Sequence, residues 1–377
     1  MIQPNPFYGA FFLAVGALLS AACYSPSKLT RHWAWEIYWV AQATFAWCIL
    51  PLVGAWLTVP DYLGLLAACS PSVMLNSFLL GLLYGVGGFT FGLGVRYIGF
   101  SLNYSIAIGI SALLGTLLPL VWTPTGGFVH RLGALFQTTP GWIVFVGLMA
   151  AVGGIALCGW AGALRERLAG GERFDFARGL PYAVAAGILG AVFNYALLAG
   201  KPLSAAAAAQ VADGDIRQLL QNNAVYPFAC GGAWVTNVVW GLYLGWRNRT
   251  WPQLYRLSDQ HDARLRFYYL LAFLSGAMWY LQFFCYGIGE TYMGERFGFT
   301  SWALLMAILI LASNLLGTLF REWEGTSPRP RRMVHLGMAV IILATCLVTC
   351  GNYLGQNGPS PSGEGASVST ETPPGAD

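Results

Sequence analysis

Charged residues are scarce in this chain. Only 10% of its 377 residues are Asp, Glu, Lys or Arg, whereas soluble domains carry about 25%. The mean hydropathy is correspondingly high, at +0.57. A water-soluble fold of this length needs more charge on its surface than the chain contains. The composition therefore excludes a soluble globular domain and predicts an integral membrane protein.

Groups that could bind a metal or carry out catalysis are also sparse. The chain has 4 histidines far apart in the sequence, and its 8 cysteines lie almost entirely inside apolar runs without a CxxC motif. We interpret these cysteines as small apolar residues of a helical bundle. No nucleophile with a neighbouring base is evident, so we predict no enzyme, no metal and no cofactor. The net charge of +4 comes from the loops and does not indicate a nucleic-acid partner.

Long apolar runs are what the chain has in abundance. A helix needs about 20 apolar residues to cross the hydrocarbon core, and ten such runs follow one another without the alternation of barrel strands. They cover roughly residues 7–24, 36–57, 74–98, 101–122, 141–160, 179–200, 225–246, 267–288, 300–320 and 334–354. The first run lacks a basic n-region and a cleavage site, so we expect it to be retained. The predicted fold is all-α with ten transmembrane helices.

The basic residues are unevenly divided between the connections. Those after helices 1, 3, 5, 7 and 9 hold 16 of the 20 lysine and arginine residues, and the other side holds only Arg131, Lys201, Arg217 and Arg296. Cytoplasmic loops carry the excess of positive charge in membrane proteins. The odd-numbered connections are therefore predicted to be cytoplasmic and both termini periplasmic.

Two pairs of similar segments indicate an internal duplication. Residues 111–117 (Ser-Ala-Leu-Leu-Gly-Thr-Leu) match 313–319 (Ser-Asn-Leu-Leu-Gly-Thr-Leu), and 89–94 resemble 284–289. A repeat of five helices enters the membrane from the opposite face in its second copy, as in many secondary transporters. We therefore predict two inverted five-helix repeats, at residues 1–177 and 178–355. The tail at 356–377 is rich in Gly, Pro and Ser and is predicted to be disordered.

One face of helix 8 combines aromatic rings with an amide. Trp279, Gln282, Phe283 and Tyr286 stand at i, i+3, i+4 and i+7, which places them on one side of a helix. A sugar stacks its C–H faces on rings and needs fixed hydrogen-bond partners for its hydroxyls. This face is therefore predicted to bind a sugar. The alternative is that the aromatic residues mark a headgroup belt and Gln282 pairs with a neighbouring helix.

Few ionisable groups are placed to couple transport to protons. No carboxylate lies in the middle of a predicted span; Glu36 and Glu290 stand at helix ends, and His335 begins helix 10. The only two lysines, Lys28 and Lys201, occur near corresponding ends of the first helix of each half. Lysine carries a compact charge, and its pKa falls readily on desolvation. Each lysine could therefore hold a substrate hydroxyl or change protonation during transport. The alternative is that both are anchors at the membrane edge.

The connection between helices 6 and 7 differs from the other loops. Residues 203–223 begin with an alanine run and become polar towards Asn223. The segment is helix-prone but too polar to span the membrane. We predict either an external cap or gate, or an inert loop.

Several segments together resemble one transporter family. They include 21–28 (Ala-Ala-Cys-Tyr-Ser-Pro-Ser-Lys), 33–36 (Trp-Ala-Trp-Glu), 200–202 (Gly-Lys-Pro) and 276–284 (Gly-Ala-Met-Trp-Tyr-Leu-Gln-Phe-Phe). From about residue 9 to 354 the chain is similar to the bacterial L-rhamnose-proton symporters of the drug/metabolite transporter superfamily. It departs from them in its C-terminal extension and in Glu290, where the family pattern leads us to expect His.

The resemblance implies a secondary active transporter of the bacterial inner membrane. Such a carrier imports L-rhamnose, or a related 6-deoxysugar, with H⁺ by alternating access. The expected substrate-binding residues are Tyr24, Asn103, Asn194, Trp279, Gln282 and Phe283. Lys28 and Lys201 are expected at opposite mouths, and protonation of Glu36 or Glu290 is expected before the loaded carrier turns inward.

Two other functions fit the same scaffold. One is an exporter of amino acids or small metabolites, and the other is a membrane sugar sensor that transports nothing. Apart from a small sugar, membrane lipid is the only partner we expect. No sequence signal indicates an oligomeric state.

Overall fold

The computed structural model describes residues 3–98, 100–121, 136–168, 175–256, 264–319 and 323–357. Within these residues the chain is helical and contains no β-strand. The α-helices are α1 (Pro6–Ala22), α2 (Trp35–Thr44), α3 (Leu50–Thr58), α4 (Tyr62–Ala68), α5 (Pro71–Ile98), α6 (Phe100–Val121), α7 (Thr139–Leu168), α8 (Phe176–Ala199), α9 (Lys201–Ala209), α10 (Tyr226–Arg247), α11 (Leu265–Phe297), α12 (Thr300–Leu319) and α13 (Pro328–Asn357). The all-α prediction is confirmed.

Shorter elements connect or interrupt these helices. Ser25–Leu29, Ile216–Ala224 and Trp251–Leu254 are 3₁₀ turns. Phe45–Ile49 is a π-helical turn that joins α2 to α3 without a break. In α11, Gly294 leaves the helical conformation with a φ of 73°, which glycine adopts without steric cost.

Eight helical stretches in the described part of the chain are long and apolar enough to cross a membrane. They are Pro6–Leu29, Trp35–Thr58, Pro71–Ile98, Thr139–Arg165, Ala177–Ala209, Leu265–Gly294, Thr300–Leu319 and Pro328–Gly355. The protein is therefore a multi-pass membrane protein. The remaining two predicted spans fall in α6 and α10, which are not among the eight. The predicted tail begins within the last turn of α13 and otherwise lies outside the described residues.

Local sequence explains where individual helices begin. Asn5 caps α1 because its side-chain oxygen accepts hydrogen bonds from the backbone N–H groups of Phe7 and Tyr8, and Pro6 follows at a position where no N–H is needed. Asp175 caps α8 in the same way, through the N–H of Arg178. These caps fix the first turn of the first span in each predicted half.

Glycines allow α5 and α10 to pack backbone against backbone. A Cβ atom built on Gly81 of α5 would lie 2.0 Å from the carbonyl oxygen of Ala229 in α10. Reciprocally, a Cβ on Gly232 would lie 2.1 Å from the carbonyl oxygen of Phe78. Small residues at such contacts are the usual way in which membrane helices approach closely.

The largest buried cluster lies where α1, α2, α8, α10, α11 and α12 meet. A second cluster joins α7, α12 and α13, and there the guanidinium of Arg165 lies 5.0 Å from the ring centre of Trp323. The first of these clusters contains most of the residues that form the candidate site.

Candidate functional site

Six aromatic side chains meet in the middle of the bundle. This central aromatic cluster consists of Trp47, Phe193, Trp279, Phe283, Tyr286 and Trp302, each at most 4% exposed. The ring centres of Phe193 and Phe283 are 4.6 Å apart, and those of Trp47 and Trp279 are 5.0 Å apart. The cluster thus joins the second span, through Trp47, to α8, α11 and α12.

The eighth predicted span corresponds to α11, and the face of it that was identified from the sequence is buried inside the bundle. Trp279, Phe283 and Tyr286 all belong to the central aromatic cluster, and Gln282 is 5% exposed. Residues buried in this way cannot form a belt that faces the lipid headgroups. Gln282 also marks a close contact with α1, because a Cβ on Gly16 would lie 2.8 Å from its carbonyl oxygen.

Asn194 connects the aromatic cluster to α6. Its Nδ2 donates to the carbonyl oxygen of Gly115 at 2.8 Å, and its Oδ1 accepts from the hydroxyl of Tyr286 at 3.3 Å. One turn away, Trp302 Nε1 donates to the carbonyl oxygen of Ser111 at 3.1 Å. These bonds hold the Asn194 amide and the rings of Tyr286 and Trp302 in fixed relative positions. Two of them end on backbone carbonyl oxygens of α6, so this helix anchors the cluster.

Asn103 is completely buried at the contact between α5 and α6. Its Nδ2 donates to the carbonyl oxygen of Phe91 at 3.0 Å, whereas its Oδ1 has no hydrogen-bond partner. A Cβ on Gly94 would lie 1.9 Å from that Oδ1, so the amide depends on glycine for its space.

Tyr24 reaches the cluster only indirectly. Its side chain is 45% exposed and its ring stacks on Trp39 with centres 6.0 Å apart. Trp39 in turn lies 5.9 Å from Trp47 and donates through Nε1 to Asn237 Oδ1 at 3.1 Å. Tyr24 is therefore part of an aromatic chain that leads towards the cluster.

Lys201 and Glu290, which the sequence had placed in separate roles, lie together. Lys201 Nζ is 3.4 Å from Glu290 Oε1, and Asn222 Nδ2 donates to Glu290 Oε2 at 2.8 Å. The side chain of Lys201 is 50% exposed, and that of Glu290 is 17% exposed. Both carboxylate oxygens of Glu290 therefore have partners at the rim of the bundle.

The Ile216–Ala224 turn bridges the two predicted halves at this same end. Asn223 Nδ2 donates to Thr58 Oγ1 of α3 at 2.9 Å, and Asn223 Oδ1 accepts from the hydroxyl of Tyr280 in α11 at 3.2 Å. Gln221 Nε2 adds a bond of 3.3 Å to Thr291 Oγ1. The turn is thus packed and bonded, unlike an inert loop.

Glu36 is held at the other end of the bundle. It is 7% exposed and accepts hydrogen bonds from Asn248 Nδ2 at 3.0 Å and Thr250 Oγ1 at 2.8 Å. It also stands in the first turn of α2, where the helix dipole stabilises a carboxylate. These contacts tie the connection after α10 to the start of α2.

Lys28 lies at the same end as Glu36. It is exposed in the Ser25–Leu29 turn that follows α1. The other end of α1 lies beside α11, where the backbone N–H of Asn5 donates to the carbonyl oxygen of Tyr292 at 2.8 Å. The two lysines therefore occupy opposite ends of the bundle.

Sequence reasoning missed Trp47, Phe193 and Trp302. A tryptophan in the middle of a span is unusual, since membrane tryptophans concentrate at the interfaces, and this signal marks Trp47 in the second apolar run. Nothing in the local sequence distinguishes Phe193 from the other phenylalanines of the spans. Its role comes only from the helices that surround it.

Two cavities in the described part of the chain lie away from these residues. A crevice of about 480 Å³ between α5 and α10 is lined by apolar groups that include Phe89, Val239 and Trp240. A void of about 10 Å³ lies between α6, α7 and α12. Neither contains a residue predicted to bind substrate. Among the described residues, no group of three or more His, Cys, Asp or Glu side chains could hold a metal ion.

Comparison with known proteins identifies similar sequences over nearly the whole chain. Residues 5–353 match the family described as L-rhamnose-proton symport protein. An L-rhamnose-proton symporter of Pectobacterium carotovorum subsp. carotovorum is 34% identical over 352 residues, which cover 92% of this chain and 98% of that relative. Relatives of the same description from Mannheimia succiniciproducens and Yersinia pestis are each 33% identical over 347 residues, with 91% of this chain and 97% of the relative covered. The resemblance stated from the sequence is confirmed.

Proposed function

Because the chain belongs to the L-rhamnose-proton symport family, we propose that it imports L-rhamnose, or a related 6-deoxysugar, together with H⁺ by alternating access. Family membership makes it a transporter and not an enzyme. Its location is the bacterial inner membrane, with both termini on the periplasmic side. The proton is the coupling ion, and no other cofactor takes part.

The observation that carries this proposal is the central aromatic cluster with its attached amides. Trp279 and Phe283 have ring centres 4.8 Å apart and ring planes inclined at 52°, so they offer two adjoining apolar ring faces, one for the C–H face of a deoxysugar and one for its 6-methyl group. Asn194 stands directly beside them through Tyr286. Small-molecule sites are lined mostly by apolar and aromatic side chains with a few precisely placed polar groups, and this part of the bundle has that composition.

Hydroxyl groups of the sugar bind to Gln282, Asn194, Asn103 and Tyr24 in this proposal. The unpaired Oδ1 of Asn103 supports its role, since a buried acceptor without a partner destabilises the protein that contains it. Asn194 already uses both ends of its amide, so it exchanges the Tyr286 hydroxyl for a sugar hydroxyl when substrate binds.

Two inverted five-helix repeats surround the site. The ten spans are α1, α2 with α3, α5, α6 and α7 in the first repeat, and α8, α10, α11, α12 and α13 in the second. Helix packing supports this arrangement. In the second repeat α8 corresponds to α1, and α11 and α12 correspond to α5 and α6 of the first. As the symmetry requires, α1 packs on α11 and α12, and α8 packs on α5 and α6. The pair α7 and α13, which maps onto itself, also packs together. Rocking of one repeat against the other gives alternating access.

Glu290 carries the coupling proton. It lies with Lys201 at the periplasmic entrance, where protonation removes the negative charge that holds Lys201, while Asn222 can stay hydrogen-bonded to the carboxyl group. Glu36 at the cytoplasmic mouth keeps two hydrogen-bond donors and its helix N-terminus, so it serves as a structural tie. Lys28 lies at the cytoplasmic entrance to the site and Lys201 at the periplasmic entrance, where each acts as a gate or contacts the substrate.

Counterflow in proteoliposomes tests the proposal. Labelled L-rhamnose should exchange against internal L-rhamnose without a gradient, and it should accumulate only when the outside is more acidic than the inside. Binding of L-rhamnose without any exchange would instead indicate a sensor. Exchange of amino acids or other metabolites with no response to L-rhamnose would indicate an exporter, and either result would refute the symport proposal.

A further inference from the structure

The second span contains a buried hydrogen-bond donor that the protein itself leaves unused. Trp47 is 4% exposed, and its indole N–H has no hydrogen-bond partner. It lies in the π-helical turn Phe45–Ile49, in which the N–H of Leu50 bonds to the carbonyl oxygen of Phe45 five residues earlier. Single π-turns inside α-helices occur frequently at functional sites.

Other indole groups in the described part of the chain do find partners. Side-chain or backbone oxygens accept hydrogen bonds from the indole N–H groups of Trp33, Trp39, Trp142, Trp234, Trp251 and Trp302. Trp234 is the closest comparison, because its Nε1 donates to Thr44 Oγ1 of the same second span at 3.2 Å. The fold is thus able to satisfy a tryptophan in this region, whereas the buried indole N–H of Trp47 is left without a partner.

A second unpaired polar atom accompanies it. Gln42 is 2% exposed and its Oε1 has no hydrogen-bond partner. Gly276 of α11 allows this part of the second span to approach closely, since a Cβ there would lie 2.7 Å from Phe45 Cβ and 3.0 Å from the carbonyl oxygen of Gln42. Both polar groups therefore belong to the stretch of the second span that packs against α11 just before Trp279.

The ring of Trp47 directly contacts Trp279, one of the two rings on which the sugar is proposed to stack. Its ring centre is 5.0 Å from that of Trp279, and the two ring planes are inclined at 82°. In this geometry the edge of one indole lies next to the face of the other. A sugar stacked on Trp279 would place its ring hydroxyls at the level of a neighbouring indole edge, where a free N–H can donate to them.

We propose that Trp47 and Gln42 are substrate-binding residues, with the Trp47 N–H donating to one sugar hydroxyl and the Gln42 amide binding a second. The proposal rests on the function proposed above and assigns the first repeat a share of the site. It also explains why two buried polar groups are tolerated without protein partners. A buried group of this kind costs free energy comparable to a lost hydrogen bond, and a bound sugar offsets that cost.

Binding of L-rhamnose to the purified full-length protein in nanodiscs tests this assignment. Trp47→Phe keeps a ring and removes the N–H, so we expect L-rhamnose to bind roughly tenfold more weakly with thermal stability in the absence of sugar equal to or above that of the wild type. Trp234→Phe is the matched control. It loses a hydrogen bond made within the protein, so its thermal stability should fall while its sugar affinity stays within about twofold of the wild type.

Deoxy analogues of L-rhamnose identify the contact. For the analogue that lacks the hydroxyl bound by Trp47, the wild type and Trp47→Phe should bind equally. Gln42→Met provides an independent variant of similar shape, which should lose affinity for a different analogue. Equal affinity of both variants and the wild type for L-rhamnose and every analogue would overturn the assignment. A wild type that binds no 6-deoxysugar would refute the proposed function itself, so the two failures are distinguishable.

Discussion

Lys201 at the start of α9 and Glu290 in α11 form an ion pair with 3.4 Å between Nζ and Oε1. The lysine side chain is half-exposed, so solvent screens the pair and its net contribution is small, about 0–1 kcal/mol. A weak pair suits a switch, because neutralising the carboxylate releases the lysine at little cost. Asn222 can remain hydrogen-bonded to Glu290 in either protonation state, since an amide both donates and accepts.

Glu290→Gln should separate exchange from accumulation. The substitution keeps a hydrogen-bonding side chain but cannot exchange a proton, so counterflow of L-rhamnose should persist while acid-driven accumulation falls to the background level. Uptake and counterflow by the same proteoliposomes measure both. Asp215→Asn is the control, since it removes a carboxylate from an exposed pair with Arg217 in the neighbouring connection and should leave both activities unchanged. Accumulation at the wild-type level in Glu290→Gln would exclude Glu290 as the coupling group.

Gln282→Ala should strongly reduce sugar exchange without removing the protein from the membrane. The lost amide leaves a substrate hydroxyl unpaired in an apolar site, which costs about 1–3 kcal/mol and corresponds to a loss of roughly tenfold or more in affinity. Counterflow and the amount of membrane-inserted protein are measured together. Asn314→Ala is the matched control, because Asn314 bonds back to the carbonyl oxygen of Ile310 in its own helix. Unchanged transport in Gln282→Ala would remove Gln282 from the site.

Asn223→Ala should loosen the Ile216–Ala224 turn. It removes the two hydrogen bonds that connect this turn to Thr58 and Tyr280, so hydrogen exchange of the backbone amides at 216–224 should become faster. Mass spectrometry of the deuterated protein gives the rates. Arg217→Gln lies in the same turn and breaks only its exposed pair with Asp215, so it should not change them. Equal protection in Asn223→Ala would mean that packing alone holds the turn.

Gly81→Ala should destabilise the contact between α5 and α10. The new Cβ would lie 2.0 Å from a backbone carbonyl oxygen, and a backbone atom cannot move aside as a side chain can. We expect a clear fall in the thermal unfolding temperature, equivalent to about 1–3 kcal/mol of overpacking. Gly92→Ala on the same helix has nothing within 4 Å of its new Cβ, and its unfolding temperature should not fall. A similar temperature for both variants would contradict the close approach.

Membrane orientation can be tested with cysteines placed at a partly exposed position, Asp215, and at an exposed one, Arg247. Asp215→Cys should react with a membrane-impermeant maleimide applied to intact spheroplasts, because its connection is predicted to be periplasmic. Arg247→Cys should react only after the membrane is opened, since the end of α10 is predicted to be cytoplasmic. The wild type, with its 8 native cysteines, measures background labelling. The reverse pattern would invert the orientation proposed here.

Hydropathy predicted ten spans, and eight of them coincide with helical stretches of the described residues that are long and apolar enough to cross a membrane. Helical periodicity predicted the face that is buried in α11. Apolar length determines which segments cross the membrane, and the spacing of Trp279, Gln282, Phe283 and Tyr286 places them on one side of any helix. Their burial inside the bundle is consistent with that prediction. The fold class thus follows from composition and apolar length, whereas the family was indicated by the resemblance of particular segments.

Contacts between distant helices could not be predicted in this way. Lys201 and Glu290 are 89 residues apart in sequence, and no local pattern relates them. Trp302 joins the cluster because Gly115 makes room for it, as a Cβ there would lie 2.4 Å from its ring. Such pairings follow from how the helices pack, and no local stretch of sequence determines that packing.

The π-turn at Phe45–Ile49 holds one residue more than an α-helical turn would. Its hydrogen bond spans five residues, whereas an α-helical bond spans four. Deleting one residue here would therefore return the turn to α-helical bonding and leave the helix on either side nearly in phase, so that Trp39 kept its bond to Asn237. Only side chains within the turn, Trp47 among them, would change direction, whereas a deletion in the middle of a regular helix such as α5 would rotate everything beyond it by about 100°.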